Sequence, residues 1–296
     1  MILRRRKRPP PWTPTLVASH WTESTLAEQA WDKSRGAGLR WAIAGGVVGV
    51  IVGVVAFAPA AWVASAVASA TGERVLLADA RGTVWSGSAL PILTGGPGSR
   101  DASALPGRLE WSLVPNGFGL ELRARQTCCL NGTVVVRLKP GLGRIAATVV
   151  PSGTWVGQWP SAWLAGLGTP FNTMQLGGAV RLVTPGFTVE SAQGRWHLEG
   201  RADIDLENVS SRVTTLDTLG SYRLTLDGSA ADSGPARLTL STREGPLQLS
   251  GNGTWGAGGV RFRGEARAAA EDEAALSNLL NIIGRRDGSR SVISIG

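Results

Sequence analysis

Few side chains in this 296-residue chain could do chemistry, and their spacing keeps them apart. Of the two histidines, His20 lies in a basic amino-terminal arm and His197 stands beside Trp196 in a strand-like run, with a long apolar segment between them. A proton relay or a metal site needs such groups together on one side of a membrane, so His197 is expected to be structural. The sequence contains no Gly-x-Ser-x-Gly elbow, His-Glu-x-x-His pair or Walker loop. Its glycine-rich stretch 94–99 (TGGPGS) lacks the lysine and strand-to-helix setting of a phosphate cradle and reads as a loop. Asp203, Asp205 and Glu207 alternate along one strand face. Without a turn and carbonyl ligands a cation is poorly served there, and a solvated charged face is the expectation. No nucleophile stands with a base, so neither an enzyme nor a metal or other cofactor is expected.

Cys128 and Cys129 are the only cysteines and are adjacent. In an oxidising compartment they would join as a vicinal disulfide in a tight turn just before Leu130, Asn131 and Gly132. Two free thiols on opposite strand faces, or pairing with another chain, stay open.

The elements around these residues begin with the apolar segment. Residues 41–72 carry no charge, and 41–58 (WAIAGGVVGVIVGVVAFA) are almost wholly apolar. As a helix those residues span about 27 Å, and counting on to Ala64 gives a transmembrane helix expected over 41–64. Gly45, Gly49 and Gly53 recur every fourth residue. They form either a transmembrane packing stripe or simply glycines that a bilayer tolerates, because backbone satisfaction enforces the helix there. Trp41 and Trp62 suit the two interfacial belts. The Ala-Ser-Ala triplets at 64–66 and 68–70 resemble signal-peptidase sites. The apolar run nevertheless exceeds an h-region of about 15 residues and follows a long leader, which favours an uncleaved anchor.

Charge sets the orientation. Residues 1–40 hold eight basic and three acidic residues, whereas residues 41–296 hold 22 basic against 19 acidic. The basic arm places the amino terminus in the cytoplasm and residues 65–296 in the periplasm. Despite a net charge of +8, no concentrated basic face remains in the main domain, so nucleic acid is not an expected partner. The arm opens with a basic cluster and Pro9, Pro10 and Pro11, then offers Ser24 as the cap of a short helix at 24–28. Trp12, Trp21, Trp31 and Trp41 punctuate this stretch, suiting either interfacial contact or docking to another subunit.

Beyond Thr71 apolar and polar residues alternate. Leu109, Trp111 and Leu113 share a face, and a turn at 115–117 leads into 120–125. Further strands are expected at 134–138, 144–150, 178–183, 187–189, 194–198, 202–206, 221–227, 236–241 and 247–251, with Pro185-Gly186 as one of the turns. Two helices are expected, at 160–167 and 271–283, the second stopped by a left-handed Gly284. Trp85, Trp196 and Trp255 each stand between glycines, suggesting hairpins whose indoles share a core.

The stretch 82–87 (GTVWSG), the single anchor and the run 278–288 (NLLNIIGRRDG) together resemble the type II secretion system protein N (general secretion pathway protein N) family. The resemblance implies a mainly β protein of the inner membrane: one transmembrane helix, then a periplasmic, antiparallel, curved sheet of AsmA-like kind with one or two short helices. It further implies a non-catalytic subunit linking the inner-membrane platform to periplasmic or outer-membrane components, the secretin being one candidate partner. Arg285, Arg286, Asp287 and Arg290 are candidate partner contacts, or else they cap the helix and steady the terminal turn. The alternative is an AsmA-like lipid-binding or lipid-transfer protein with a wet or lipid-filled face at Leu109, Trp111 and Leu113.

Overall fold

The computed structural model describes residues 38–150, 153–192, 195–228, 234–256 and 259–296. His20, Trp12, Trp21, Trp31 and the helix expected at 24–28 lie outside the described residues. The chain divides into two compact units, Met1–Ala56 and Phe57–Gly296.

In the first unit, helix α1 covers Gly38–Ala56, 19 residues with a mean hydropathy of 2.0 in its most apolar window. Its length of about 28 Å matches the hydrocarbon thickness of a bilayer. Open space surrounds Gly45, Gly49 and Gly53, which the helical period places on one side.

The helix ends eight residues before the Ala64 limit expected from composition. Pro59 explains the break, since it lacks an N–H and pushes its neighbour to extended backbone. Ala58 and Ala60 bond instead to a hairpin: the Val84 amide donates to Ala58 O (2.9 Å) and the Ala60 amide donates to Gly82 O (3.0 Å). The apolar sequence continues in a separate helix, α2 (Ala61–Ala70).

The second unit is built on β1 (Val75–Gly82), β2 (Ser86–Thr94), β3 (Ala102–Ala104), β4 (Leu109–Asn116), β5 (Gly119–Arg125), β6 (Thr133–Gly141), β7 (Arg144–Val150) and β8 (Gly157–Pro160). A 3-10 helix (Ser161–Leu167) and α3 (Phe171–Met174) follow, then β9 (Leu176–Ala192), β10 (Arg195–Ser211), β11 (Gly220–Gly228), β12 (Ala236–Glu244), β13 (Leu247–Gly256) and β14 (Gly259–Ala268). Helix α4 (Glu273–Ile283) and the terminal hairpin β15 (Arg285–Asp287) and β16 (Arg290–Ile295) complete the chain. Among the described residues these strands form one open antiparallel sheet, ordered β1-β2-β4-β5-β6-β7-β9-β10-β11-β12-β13-β14-β16-β15. β3 lies beside β2, and β8 beside β9.

Side-chain alternation makes this sheet amphipathic over its whole width. Leu113, Leu122, Val136, Val149 and Phe187 form one apolar row across β4 to β9. Leu182, Ile204, Leu224 and Leu240 continue that face across β9 to β12. Opposite it, Arg181, Asp205, Arg223, Ser241, Ser250 and Glu265 stand in register on the polar face.

Two covers bury the ends of the apolar face. Leu276, Leu279 and Leu280 of α4 are fully buried against Tyr222, Leu247 and Ala266, each leucine contributing about 2 kcal/mol. At the β1 end, Ala60, Ala89 and Trp111 form a smaller cluster with Val63 of α2. A methyl group on Gly87 would come within 2.6 Å of the Trp111 ring, so glycine is what lets the indole lie flat on the strand.

The Ser161–Leu167 turn touches β2, β3 and β9, and the Trp163 indole donates to Ser103 O (2.9 Å). In a flat sheet β2 and β9, five places apart, would be about 24 Å away from each other. A 3-10 turn about 14 Å long can reach both only because the intervening hairpins curve.

Several expectations change. Pro185-Gly186 is no turn, because β9 runs through it for 17 residues. Pro185 falls between the residues pairing with β8 (179–182) and those pairing with β7 (187–192), where no ladder amide is needed. Likewise β10 is one strand of 17 residues, not the two expected at 194–198 and 202–206. The 160–167 helix is 3-10 in type. Gly284 is extended (φ −166°) rather than left-handed; it is glycine because Val292 O passes against its Cα. Trp85 and Trp255 do not share a core, lying at the β1–β2 turn and at the end of β13, while among the described residues the buried indole is Trp111.

Candidate interaction surface

The residues that could have done chemistry are dispersed. His197 lies in β10 opposite Glu190, and among the described residues no three metal-ligating side chains gather. An open cleft of about 830 Å³ on the polar face is lined by Arg81, Ser88, Glu110, Ser112, Arg123 and Arg125, without histidine or cysteine. Its guanidinium groups suit a partner's carboxylate.

Asp203, Asp205 and Glu207 do alternate on one face, yet the solvated reading fails for the two aspartates, which are 9% and 4% exposed. Their strand lies mid-sheet, so Arg201 of the same strand and arginines and a threonine of neighbouring strands close over these carboxylates. Arg223 donates twice to Asp205 (2.6 and 2.8 Å), Arg201 and Thr225 bond to Asp203, and Arg181 pairs with Glu207 at 2.8 Å. Arg181 also donates to Gln158 in β8 (3.0 Å), tying that short strand to the ladder.

The Arg223 hydrogen bonds hold the Asp205 carboxyl below the ordinary carboxylate range, against the opposing effect of burial. A depressed folded-state value stabilises above the unfolded value of about 4 and loses that stabilisation as pH falls through the folded value. Asp205→Ala is therefore expected to cost about 2 kcal/mol at pH 7 by leaving Arg223 half-buried without its partner. Denaturant titration of wild type and variant should show this gap closing below about pH 4.

Cys128 and Cys129 are bonded to each other in the β5–β6 turn. That turn attaches to β8: the Gln158 amide donates to Cys129 O (2.7 Å) and the Asn131 amide to Val156 O (3.0 Å).

The terminal hairpin brings the four candidate contact residues together and pairs three of them, with Arg285, Asp287 and Arg290 still exposed. Arg290 pairs with Asp287 (2.9 Å) and Glu265 (3.4 Å), and Asp287 with Glu265 pushes the Arg290 value up. Arg286 bonds Gly288 O (3.0 Å) and reaches Glu273 at 3.6 Å, clasping the start of α4. Arg285 stays exposed, and no ion pair forms to it among the described residues. Ser291, fully buried, donates to Leu280 O (2.7 Å) and fixes β16 beneath α4.

Sheet edges decide where another chain could pair. β1 is blunted: the Thr71 hydroxyl bonds both the amide and the carbonyl of Val75, and Asp79 (φ 48°) interrupts the strand where Arg108 takes its carbonyl. At the other end β15 reaches only as far as Val292, leaving the outer edge of residues 293–295 uncovered by a strand. A long β-rich unit with two covered ends and one short open edge follows directly after an apolar helix.

A family model for type II secretion system (T2SS) protein N matches residues 73–293. The chain belongs to this family. The matched span holds helix α4 and the strands of the sheet up to residue 293 within β16, with both end motifs inside it. No curated protein and no solved structure matches the chain. Membership makes this protein N homologue a component of the type II secretion machinery, one that interacts with other components of that system. The family together with one apolar helix fits an inner-membrane protein. Sequence reasoning missed the arginine ladder, whose only signal was the alternation of Arg, Asp and Thr on β10 and β11.

Proposed function

We propose that this protein N is a non-catalytic, single-pass subunit of the inner membrane. In this reading its arm is cytoplasmic, α1 crosses the bilayer, and the sheet unit lies in the periplasm as a scaffold between the inner-membrane platform and periplasmic or secretin components. The observation that carries the reading is the direct succession of a bilayer-length apolar helix and one wide amphipathic sheet, in a chain of the protein N family. The bonded Cys128 and Cys129 support an oxidising compartment. Strand addition at residues 293–295, with Arg285 beside them, is the proposed partner contact, main-chain pairing giving affinity and alternating side chains giving selectivity. Gly45, Gly49 and Gly53 would pack α1 against the helix of another subunit.

Deletion of the gene, with secreted hydrolases assayed in the medium, tests the role. Export is expected to fall by at least about tenfold, and a photo-crosslinker at Arg285 should capture a secretion subunit; unchanged export with no such adduct would sink the reading.

One observation favours a second reading, lipid handling of the AsmA-like kind. Leu120, Leu138, Ala147, Val149, Phe187 and Val189 on the apolar face of β5 to β9 are only half-buried, outside both buried clusters. Native mass spectrometry of the full chain released from detergent separates the two, since stoichiometric phospholipid would favour the lipid reading.

A further inference from the structure

Four large apolar side chains project from the sheet unit at one end: Phe57 (79% exposed), Trp62 (53%), Phe118 (105%) and Leu142 (105%). A single exposed apolar residue is ordinary; a group sharing one end is not. Asn116 pairs with Gly119 to close β4–β5, Gly141 pairs with Arg144 to close β6–β7, and Leu120 pairs with Leu138. These registers set the two tips side by side, about 10 Å apart. Both have the same construction, Gly117-Phe118-Gly119 and Gly141-Leu142-Gly143, with left-handed glycines (Gly117 φ 59°, Gly143 φ 71°) making the turn. Such turns ordinarily take Asn, Asp or Gly, so nothing in the turn itself calls for a large apolar residue.

The same end receives the chain from α1. Pro59 bridges to Thr83, and the Leu113 amide donates to Trp85 O (2.7 Å), placing the β1–β2 turn about three residues from the β4–β5 tip. Only Phe57 and Ala58 separate Pro59 from the last residue of α1. Cations flank the Leu142 tip: Lys139 and Arg144 stand on either side of it, Arg144 also reaching Glu190 at 3.7 Å. Exposed apolar tips with lysine and arginine beside one of them, and an aromatic residue beside the point where the chain arrives, are the chemistry of a surface that seats in the headgroup region of an anionic bilayer.

We infer that the Phe118 and Leu142 hairpin tips insert into the surface of an anionic lipid bilayer. The sheet unit is thereby held end-on to the membrane at two places, its covalent link and its tips. This rests on the proposed crossing of the membrane by α1.

The test uses the full chain reconstituted in vesicles of phosphatidylethanolamine and phosphatidylglycerol that contain a lipid quencher spin-labelled near the headgroup. An environment-sensitive fluorophore is placed at Asn116→Cys beside the tips, at Arg100→Cys near the far end of β2, or at Val50→Cys in α1. Quenching at position 116 is expected to exceed that at position 100 by at least about threefold, and to fall to the level of position 100 when Phe118→Asp and Leu142→Asp are combined. Both side chains are fully exposed, so the double variant keeps its fold, which its thermal unfolding checks. Equal quenching at 116 and 100, or no change in the double variant, overturns the inference and leaves the tips to a protein partner. Position 50 reports separately: quenching there by a deep acyl quencher upholds the crossing of α1 even if the tips fail.

Discussion

Leu279→Asp is expected to abolish cooperative unfolding of the sheet unit. Leu279 is 0% exposed, wedged with Leu276 and Leu280 against Leu247, Ala266 and Tyr222. The substitution removes about 2 kcal/mol of apolar burial and asks a carboxylate to stand inside an apolar cluster. The sum exceeds about 4 kcal/mol, a large part of the 5–15 kcal/mol that holds an ordinary domain together. Loss of the thermal transition by circular dichroism, with rapid proteolysis after Arg285, would be the readout. Asn281→Asp, exposed two residues further along α4, is the control and should fall within about 0.5 kcal/mol of wild type. A Leu279→Asp protein that melts like wild type would show that α4 does not cover the sheet.

Trp111→Ala should cost about 3–5 kcal/mol and loosen one defined region. The Trp111 indole is 6% exposed, lies over Gly87 and donates to Val84 O (3.2 Å), in a cluster with Ala60, Ala89, Val63, Leu77 and Leu122. These neighbours stand on paired strands and on α2, which limits their collapse into the space the ring leaves and keeps part of it as a cavity. Since the Val84 and Ala60 amides hold the strap at 58–60 to the first hairpin, their hydrogen-exchange protection should fall before that of β13 and β14. Trp111→Phe, which keeps most of the ring and loses the donor, should lose about 1–2 kcal/mol. Uniform loss of protection across the sheet would contradict a local role for Trp111.

Much of the architecture was readable residue by residue. Leu109, Trp111 and Leu113 alternate with polar residues and do line one face of β4, and the spacing of Leu276, Leu279, Leu280 and Ile283 does make a helix with its leucines buried. Arg285–Asp287 form the short strand β15 themselves, and the turn into β16 falls only at Gly288 and Ser289. Of the candidate contact residues, however, Arg286, Asp287 and Arg290 find partners inside the hairpin region, and sequence separation hid this. Glu273 is 13 residues from Arg286 and Glu265 is 25 from Arg290, so their pairing exists only once α4 and β14 are in place.

Periodicity, by itself, determined which side chains share a face and where a bilayer-length apolar helix stands, because each is written in residues close along the chain. What lies opposite a strand was settled only in three dimensions. Pro185-Gly186 passes as continuous strand because the neighbouring strand is interrupted there, and Asp203 and Asp205 are buried because β11 brings Thr225 and Arg223 against them. The physical reason is one of range: a two-residue repeat encodes direction, whereas burial and charge pairing depend on which distant segment completes the ladder.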